Sequence, residues 1–195
     1  MPEFVICNEC NLQYLRGVSE EELHHHHYHD EVVNGPKSVL GDGYFVITIE
    51  TALVVREATE RAAVLAKRDT HYDFPSYTAD DDDPDTVAAI AVRQGRIVGL
   101  IVARHQECRH TVELDQYAQA VDQIALSEVT PHCRPAVEMI WVLSAQRGSS
   151  IAKHLVAKLT NALNTDADQL AHMTPFTDAA LNFWQKLGIT KAYVV

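Results

Sequence analysis

The sequence predicts an α+β fold that carries a small metal-stapled unit at its N-terminus. Three observations point there: a Cys/His ligand pattern before residue 40, a β-hairpin signature in mid-chain, and helical apolar stripes alternating with apolar strand runs.

The ligand pattern is Cys7-Asn8-Glu9-Cys10, then 14 residues, then His25-x-x-x-His29. The first step puts both sulfurs on one tight turn, and the second puts two imidazoles on one face of a helix. Two thiolates and two imidazoles close a tetrahedral shell around Zn²⁺ with no open position for a substrate, which marks a structural site. Val5, Ile6 and Tyr14 are the obvious apolar support, so the metal would supply much of this unit's folding energy. The run His24-His25-His26-His27-Tyr28-His29 leaves the imidazole pair open, because His24 with His27 or His29 also shares a helix face; His25 with His29 is preferred. The run is internal, interrupted, and follows the helix-like Ser19-Glu20-Glu21-Glu22-Leu23, unlike a purification tag.

Asn34-Gly35-Pro36 ends this unit, and the expected division is a zinc finger over 1–40 and a second domain over 41–195. Gly41-Asp42-Gly43 turns into a strand at Tyr44–Thr48. Ala52, Val55, Ala58, Ala62 and Leu65 then recur at helical spacing between Glu50 and Arg68. A polar loop over 69–85 holds Asp80-Asp81-Asp82-Asp83, read as solvated. Val87–Val92 and Ile97–Val102 flank Arg93-Gln94-Gly95-Arg96 as a β-hairpin. A further strand is expected at His110–Leu114. The apolar run Val137–Leu143, broken by Glu138, has the character of a central strand. Ile151, Leu155, Leu159 and Leu163 make an i, i+4 helical stripe. A strand, a short helix at Asp178–Leu187 and a strand at Lys191–Val195 close the chain.

Bulk properties limit the function. The chain has 195 residues, 47% of them hydrophobic, and a formal net charge of −11. That suits one core plus an appendage. No run approaches the roughly 20 apolar residues of a membrane span, and none resembles a signal peptide, so a soluble intracellular protein is expected, cytoplasmic, or nuclear in a eukaryote. Cys108 and Cys133 are read as free thiols. The acidic field repels phosphate and argues against nonspecific nucleic-acid binding, despite the finger.

Between the central strand and its helix stands Ser144-Ala145-Gln146-Arg147-Gly148-Ser149-Ser150-Ile151-Ala152. A small-residue turn entering a helix presents unpaired N–H groups that suit a pyrophosphate, although the same residues also make ordinary N-caps. Turn and element order together resemble the GNAT N-acetyltransferase superfamily, whose acetyl-CoA loop reads Q/R-x-x-G-x-G/A, with Ser150 here in place of a glycine. Asn182-Phe183-Trp184-Gln185-Lys186-Leu187-Gly188-Ile189 is similar to that superfamily's last helix and turn, with Trp184 where a tyrosine often protonates the departing thiolate. An indole cannot do so. The resemblance implies a mixed, mostly antiparallel sheet flanked by helices.

More closely, the chain resembles the sister-chromatid cohesion (cohesin) acetyltransferases, which join one two-Cys two-His finger to a GNAT domain. Cys7-x-x-Cys10-x-x-x-Tyr14 with His25-x-x-Tyr28-His29, Asn34-Gly35-x-Lys37, Ile97-Val98-Gly99-Leu100-Ile101, Ile140-Trp141-Val142 and Ile151-Ala152 carry this likeness. Two departures matter: Glu138 stands where that family has a serine, and Thr174, followed by Pro175, where it has an aspartate.

The resemblance implies direct acetyl transfer from acetyl-CoA to an amine, a protein lysine being the implied acceptor. The N–H groups from Arg147 through Gly148, Ser149, Ser150 and Ile151 to Ala152 would hold the pyrophosphate, and a backbone N–H near Val142 or Leu143 would polarise the thioester. Trp141 either lines the cofactor or packs in the core. Glu138 is the candidate general base, set against a solvent-facing or Arg134-paired carboxylate; Asp178 and His172 are weaker candidates. An acidic surface favours a basic acceptor, a lysine-rich segment or a polyamine. The alternatives are a degenerate GNAT-like binding module without turnover and, last, a nucleic-acid-binding finger. Oligomeric state is left open.

Overall fold

The computed structural model describes residues 2–71, 76–119, 126–174 and 176–195. Strands β1 (Glu3–Ile6) and β2 (Gln13–Arg16) form an antiparallel hairpin, and helix α1 (Ser19–Asn34) packs beside it. There follow β3 (Gly43–Ile47), α2 (Leu53–Thr70), β4 (Thr86–Arg93), β5 (Arg96–Glu113), α3 (Leu114–Gln119), β6 (Ser127–Val142), α4 (Ile151–Leu163), β7 (Ala171–His172), α5 (Asp178–Lys186) and β8 (Lys191–Val194). The larger sheet runs in the order β3-β4-β5-β6-β7-β8, with an added β5–β8 pairing. Its pairs are antiparallel except β6–β7 and β7–β8. This is the mixed α/β architecture expected.

Gln94 and Gly95 both have positive φ, 52° and 69°, which gives the β4–β5 turn the twist that antiparallel strands need. Helix α2 buries Val55, Ala58, Ala62 and Leu65 as the stripe predicts, and its small side chains bring the helix close to the sheet. It starts at Leu53 rather than Glu50, with Ala52 exposed at its N-cap. Helix α4 buries Ile151, Leu155 and Leu159. Gly99, on β5 beneath it, has no room for a Cβ, which would stand 2.8 Å from Ile151 Cγ2 and 3.0 Å from Leu155 Cδ1.

Two strand expectations differ from the structure. His110–Leu114 is no separate strand but the end of β5, continuous for 18 residues across an irregularity between Cys108 and His110. The central strand likewise begins at Ser127 rather than Val137, because alternation over 127–136 half-buries polar residues that an apolar-run criterion does not register. Part of the polar loop, residues 72–75, and Pro175 lie outside the described residues.

The finger is bound to the sheet along its seam. Arg96 pairs with Asp30 at 2.8 Å and donates to the Gly35 carbonyl at 3.1 Å. Ile97 N–H donates to Pro36 O at 2.9 Å, and Ser38 N–H to Gly95 O at 2.9 Å. A Cβ on Gly35 would lie 2.2 Å from Ile97 O, so only glycine permits this approach. Among the described residues, no helix is long and apolar enough to cross a membrane.

Candidate functional site

The four finger ligands converge. One donor atom from each of Cys7, Cys10, His25 and His29 lies within 4.8 Å of the others. The β1–β2 turn carries both cysteines and is closed by Asn11 N–H to Cys7 O and Cys7 N–H to Leu12 O. Cys10 and His25 are buried, while His24, His26 and His27 are exposed, which decides the pair that spacing left open. The Tyr14 ring stacks on His25 at 4.0 Å. His25 Nε2 is buried without a hydrogen-bond partner, the signature of a ligand atom. His29 Nδ1 lies 3.3 Å from Cys7 Sγ, and its Nε2 lies 3.2 Å from Glu9, a carboxylate placed to orient the ring. The Cys10 backbone N–H, helped by His25, lowers the Cys7 thiol to about 6, favouring the thiolate that binds metal. The donor set fits tetrahedral zinc.

In the larger sheet the β5–β6 ladder slips by one residue. Val102 faces Met139 and Ala103 faces Val137, leaving Glu138 as the unpaired extra residue of a β-bulge. Bulges re-aim side chains beside active sites. Here the bulge turns Glu138 into a cavity of about 70 Å³, whose walls include Thr70, Met139, His172, Met173 and Trp184. One water needs on the order of 10–15 Å³ of such space, so the cavity has room for a small group.

The Glu138 side chain is only 9% exposed. Gln106 Nε2 donates to its Oε1 at 2.9 Å, and Arg104 lies 3.8 Å away. Burial raises its pKa above the usual carboxylate range, against the opposing pull of Arg104 and Gln106. Neither alternative expected for Glu138 holds: it does not face solvent, and Arg134 instead bonds Gln169 and stacks over Tyr193 at 3.7 Å. His172 is almost wholly buried against Trp184, and burial pushes its pKa down to about 3, so its imidazole stays neutral. Asp178 is exposed in the first turn of α5 and does not line the cavity.

The strand edge beyond Glu138 is open. Strand β7 pairs with β6 only at Ala136 and Val137, and Met173 N–H then donates to Val137 O. Leu143 N–H donates to Val98 O at 2.9 Å, so it cannot polarise a carbonyl. By the alternation of an antiparallel ladder, Val142 N–H points the other way, into the gap that short β7 leaves. Arg147 Nε donates to Val142 O at 3.1 Å.

Beyond Val142 a short 3₁₀ turn, Ser144–Gln146, leads to the start of α4. Arg147, Gly148, Ser149 and Ser150 are all exposed there, and Ala152 is half-buried. Ile151 is buried against Gly99 and serves the core, so only its backbone can face a ligand. Three N–H groups of this turn are already spent, Arg147 on Ser144 O, Ser149 on Gln146 O and Ile151 on Ser149 Oγ. No acid stands in the first turn of α4, where Lys153 adds to the positive end of the dipole. Trp141 is buried, and its Nε1 donates to Asp69 Oδ2 at 3.0 Å, which places it in the core. Asp69 also pairs with Arg147 at 3.5 Å. Gln106, Arg104 and Asp69 carry no local motif, and the sequence does not single them out.

A bulged carboxylate, an open strand edge and a helix start thus follow one another along the chain from β6 into α4. The acetyltransferase (GNAT) family profile matches residues 54–189, and the chain belongs to that family. Among solved structures, the xEco2 acetyltransferase domain bound to a K105–CoA conjugate matches with a TM-score of 0.62 and 16% identity, over 80% of this chain and 94% of that one. A second xEco2 acetyltransferase domain structure matches with a TM-score of 0.60 and 15% identity, over 81% and 93%. At such identities the likeness is one of fold. No curated protein sequence matches the chain.

Proposed function

We propose that the chain is an acetyl-CoA-dependent N-acetyltransferase acting on a lysine amine of a protein by direct transfer, with Glu138 as general base. The observation that carries this is the bulge that turns a buried carboxylate toward the gap between β6 and β7. A carboxylate with a raised pKa takes the proton of an incoming ammonium. The freed amine attacks the thioester carbonyl, whose developing oxyanion meets Val142 N–H. The C–S bond then breaks, and the thiolate leaves with the proton shed by the new amide nitrogen. Trp184 cannot act as the acid.

The turn from Arg147 to Ala152 would hold the pyrophosphate, chiefly through Gly148, Ser150 and helix N–H groups left unspent. In the finger, Cys7, Cys10, His25 and His29 would hold a structural Zn²⁺ that fixes the hairpin on α1. We take 1–40 as the finger and 41–195 as the transferase domain. A basic acceptor fits the cavity's flank, where Arg104 holds Asp81 at 2.6 Å and Asp83 at 3.2 Å in a loop that also exposes Asp80, Asp82 and Asp85.

The test is transfer of a labelled acetyl group from acetyl-CoA to lysine-rich peptides. Glu138→Gln is expected to lose about 10² to 10⁴ in kcat, the worth of a positioned base. Undiminished turnover in Glu138→Gln would remove that residue from the role, and no transfer to any peptide would remove the protein-lysine acceptor.

A further inference from the structure

A cavity of about 490 Å³ opens between the end of the finger helix, the β4–β5 turn and the end of β6. Its volume is that of a small-molecule site. Its polar wall includes Asn34, Asp42, Arg93 and Gln146, and Val33, Val98 and Leu143 supply apolar surface. Ala145 and Gln146 belong to this wall, and Arg147–Ser150, the next residues, form the proposed pyrophosphate turn. The chain therefore passes from cavity to turn without a break.

Arg93 is the unusual member. Its Nη1 donates to Val92 O and its Nη2 to Tyr44 Oη, both at 2.9 Å, and the guanidinium sits 4.8 Å over the Tyr44 ring. Tyr44 in turn stacks on His154 in the first turn of α4, with ring centroids 5.2 Å apart. Among the described residues Arg93 has no carboxylate in ion-pair range, whereas neighbouring Arg96 is neutralised by Asp30. A held, half-buried guanidinium without a counter-ion, in a chain of net charge −11, is a ready partner for an anion. Asp42, the carboxylate of the same wall, accepts from Gly95 N–H at 3.3 Å and has acceptor capacity left for an amine.

We propose that this cavity receives the adenosine 3′-phosphate end of acetyl-CoA, with Arg93 as the ligand of the 3′-phosphate. The apolar walls suit a purine face, and Asp42 suits its exocyclic amine. The assignment rests on the acetyl-CoA reading above. It gives the finger a direct share in the co-substrate site through Val33 and Asn34, which end α1.

The experiment is calorimetric titration of the full chain with CoA and with 3′-dephospho-CoA, for wild type, Arg93→Gln and Gln94→Glu. The second variant sits at an exposed turn and adds a carboxylate to the cavity without touching the Arg93–Tyr44 bond. The expected result is CoA bound about tenfold more tightly than 3′-dephospho-CoA by wild type, with each variant erasing most of that difference. Equal wild-type affinity for the two ligands, or an equal loss for both in the variants, overturns the assignment and leaves the transferase reading standing. Binding of neither ligand to wild type overturns both.

Discussion

Gln106 Nε2 donates a 2.9 Å hydrogen bond to Oε1 of Glu138, reaching from β5 to the bulge of β6. The bond holds one carboxylate oxygen and leaves the other for the cavity. Because it favours the ionised form, its loss raises the Glu138 pKa further. Gln106→Leu should therefore move the acidic limb of the kcat/KM profile to higher pH and lower kcat at neutral pH on the order of tenfold, the worth of a hydrogen bond to a charged group. An unmoved limb would show that Gln106 does not position the carboxylate.

The same burial has a stability consequence. The folded-state pKa of Glu138 lies above its unfolded value, so this residue's contribution is fully present below the unfolded pKa and is lost as pH rises through the folded one. At neutral pH the ionised side chain costs stability. Glu138→Gln should melt higher than wild type at pH 7 while losing activity, and the two should converge at acid pH.

His172 behaves oppositely. Its pKa falls from 6.5 to about 3 on burial, so the contribution is present above 6.5 and is lost as pH falls toward 3. Over that window wild type should lose up to about 1.4 kcal/mol per pH unit through this residue alone. Denaturant unfolding of His172→Leu across the same range should show a correspondingly shallower slope.

Gly99 sets how closely α4 approaches β5. Gly99→Ala should cost roughly 1–3 kcal/mol by overpacking against Ile151 and Leu155. Because Ile151 opens α4, acetyl-CoA affinity should fall with it, as read by calorimetry at a temperature well below the variant's melting transition.

The seam of Arg96 with Asp30 and of Ile97 with Pro36 couples finger and sheet. Chelation, or His25→Ala, should lower the melting temperature of the whole chain by more than about 5 °C in one cooperative transition. A separate low-temperature step with an unchanged main transition would show an independent module instead.

Local chemistry made much of this protein legible in advance. The Cys-x-x-Cys and His-x-x-x-His spacings, the helical stripes at Val55–Leu65 and Ile151–Leu159, and the Gln94-Gly95 turn are short-range patterns, which backbone periodicity and ligand geometry alone specify. They sufficed for the fold class. Which imidazoles meet the thiolates depended on which face of α1 packs against Tyr14. The direction of Glu138 depended on a one-residue slip against β5, which strand alternation cannot express. Gln106, Arg104 and Asp69 lie far from their partners along the chain, 32, 34 and 72 residues from Glu138, Glu138 and Trp141 respectively, and only the sheet brings them together. Short-range patterning specified the elements and the donor chemistry. Tertiary structure decided which polar groups were buried, paired or left facing a cavity, because burial and long-range pairing are properties of the packed chain and not of any segment within it.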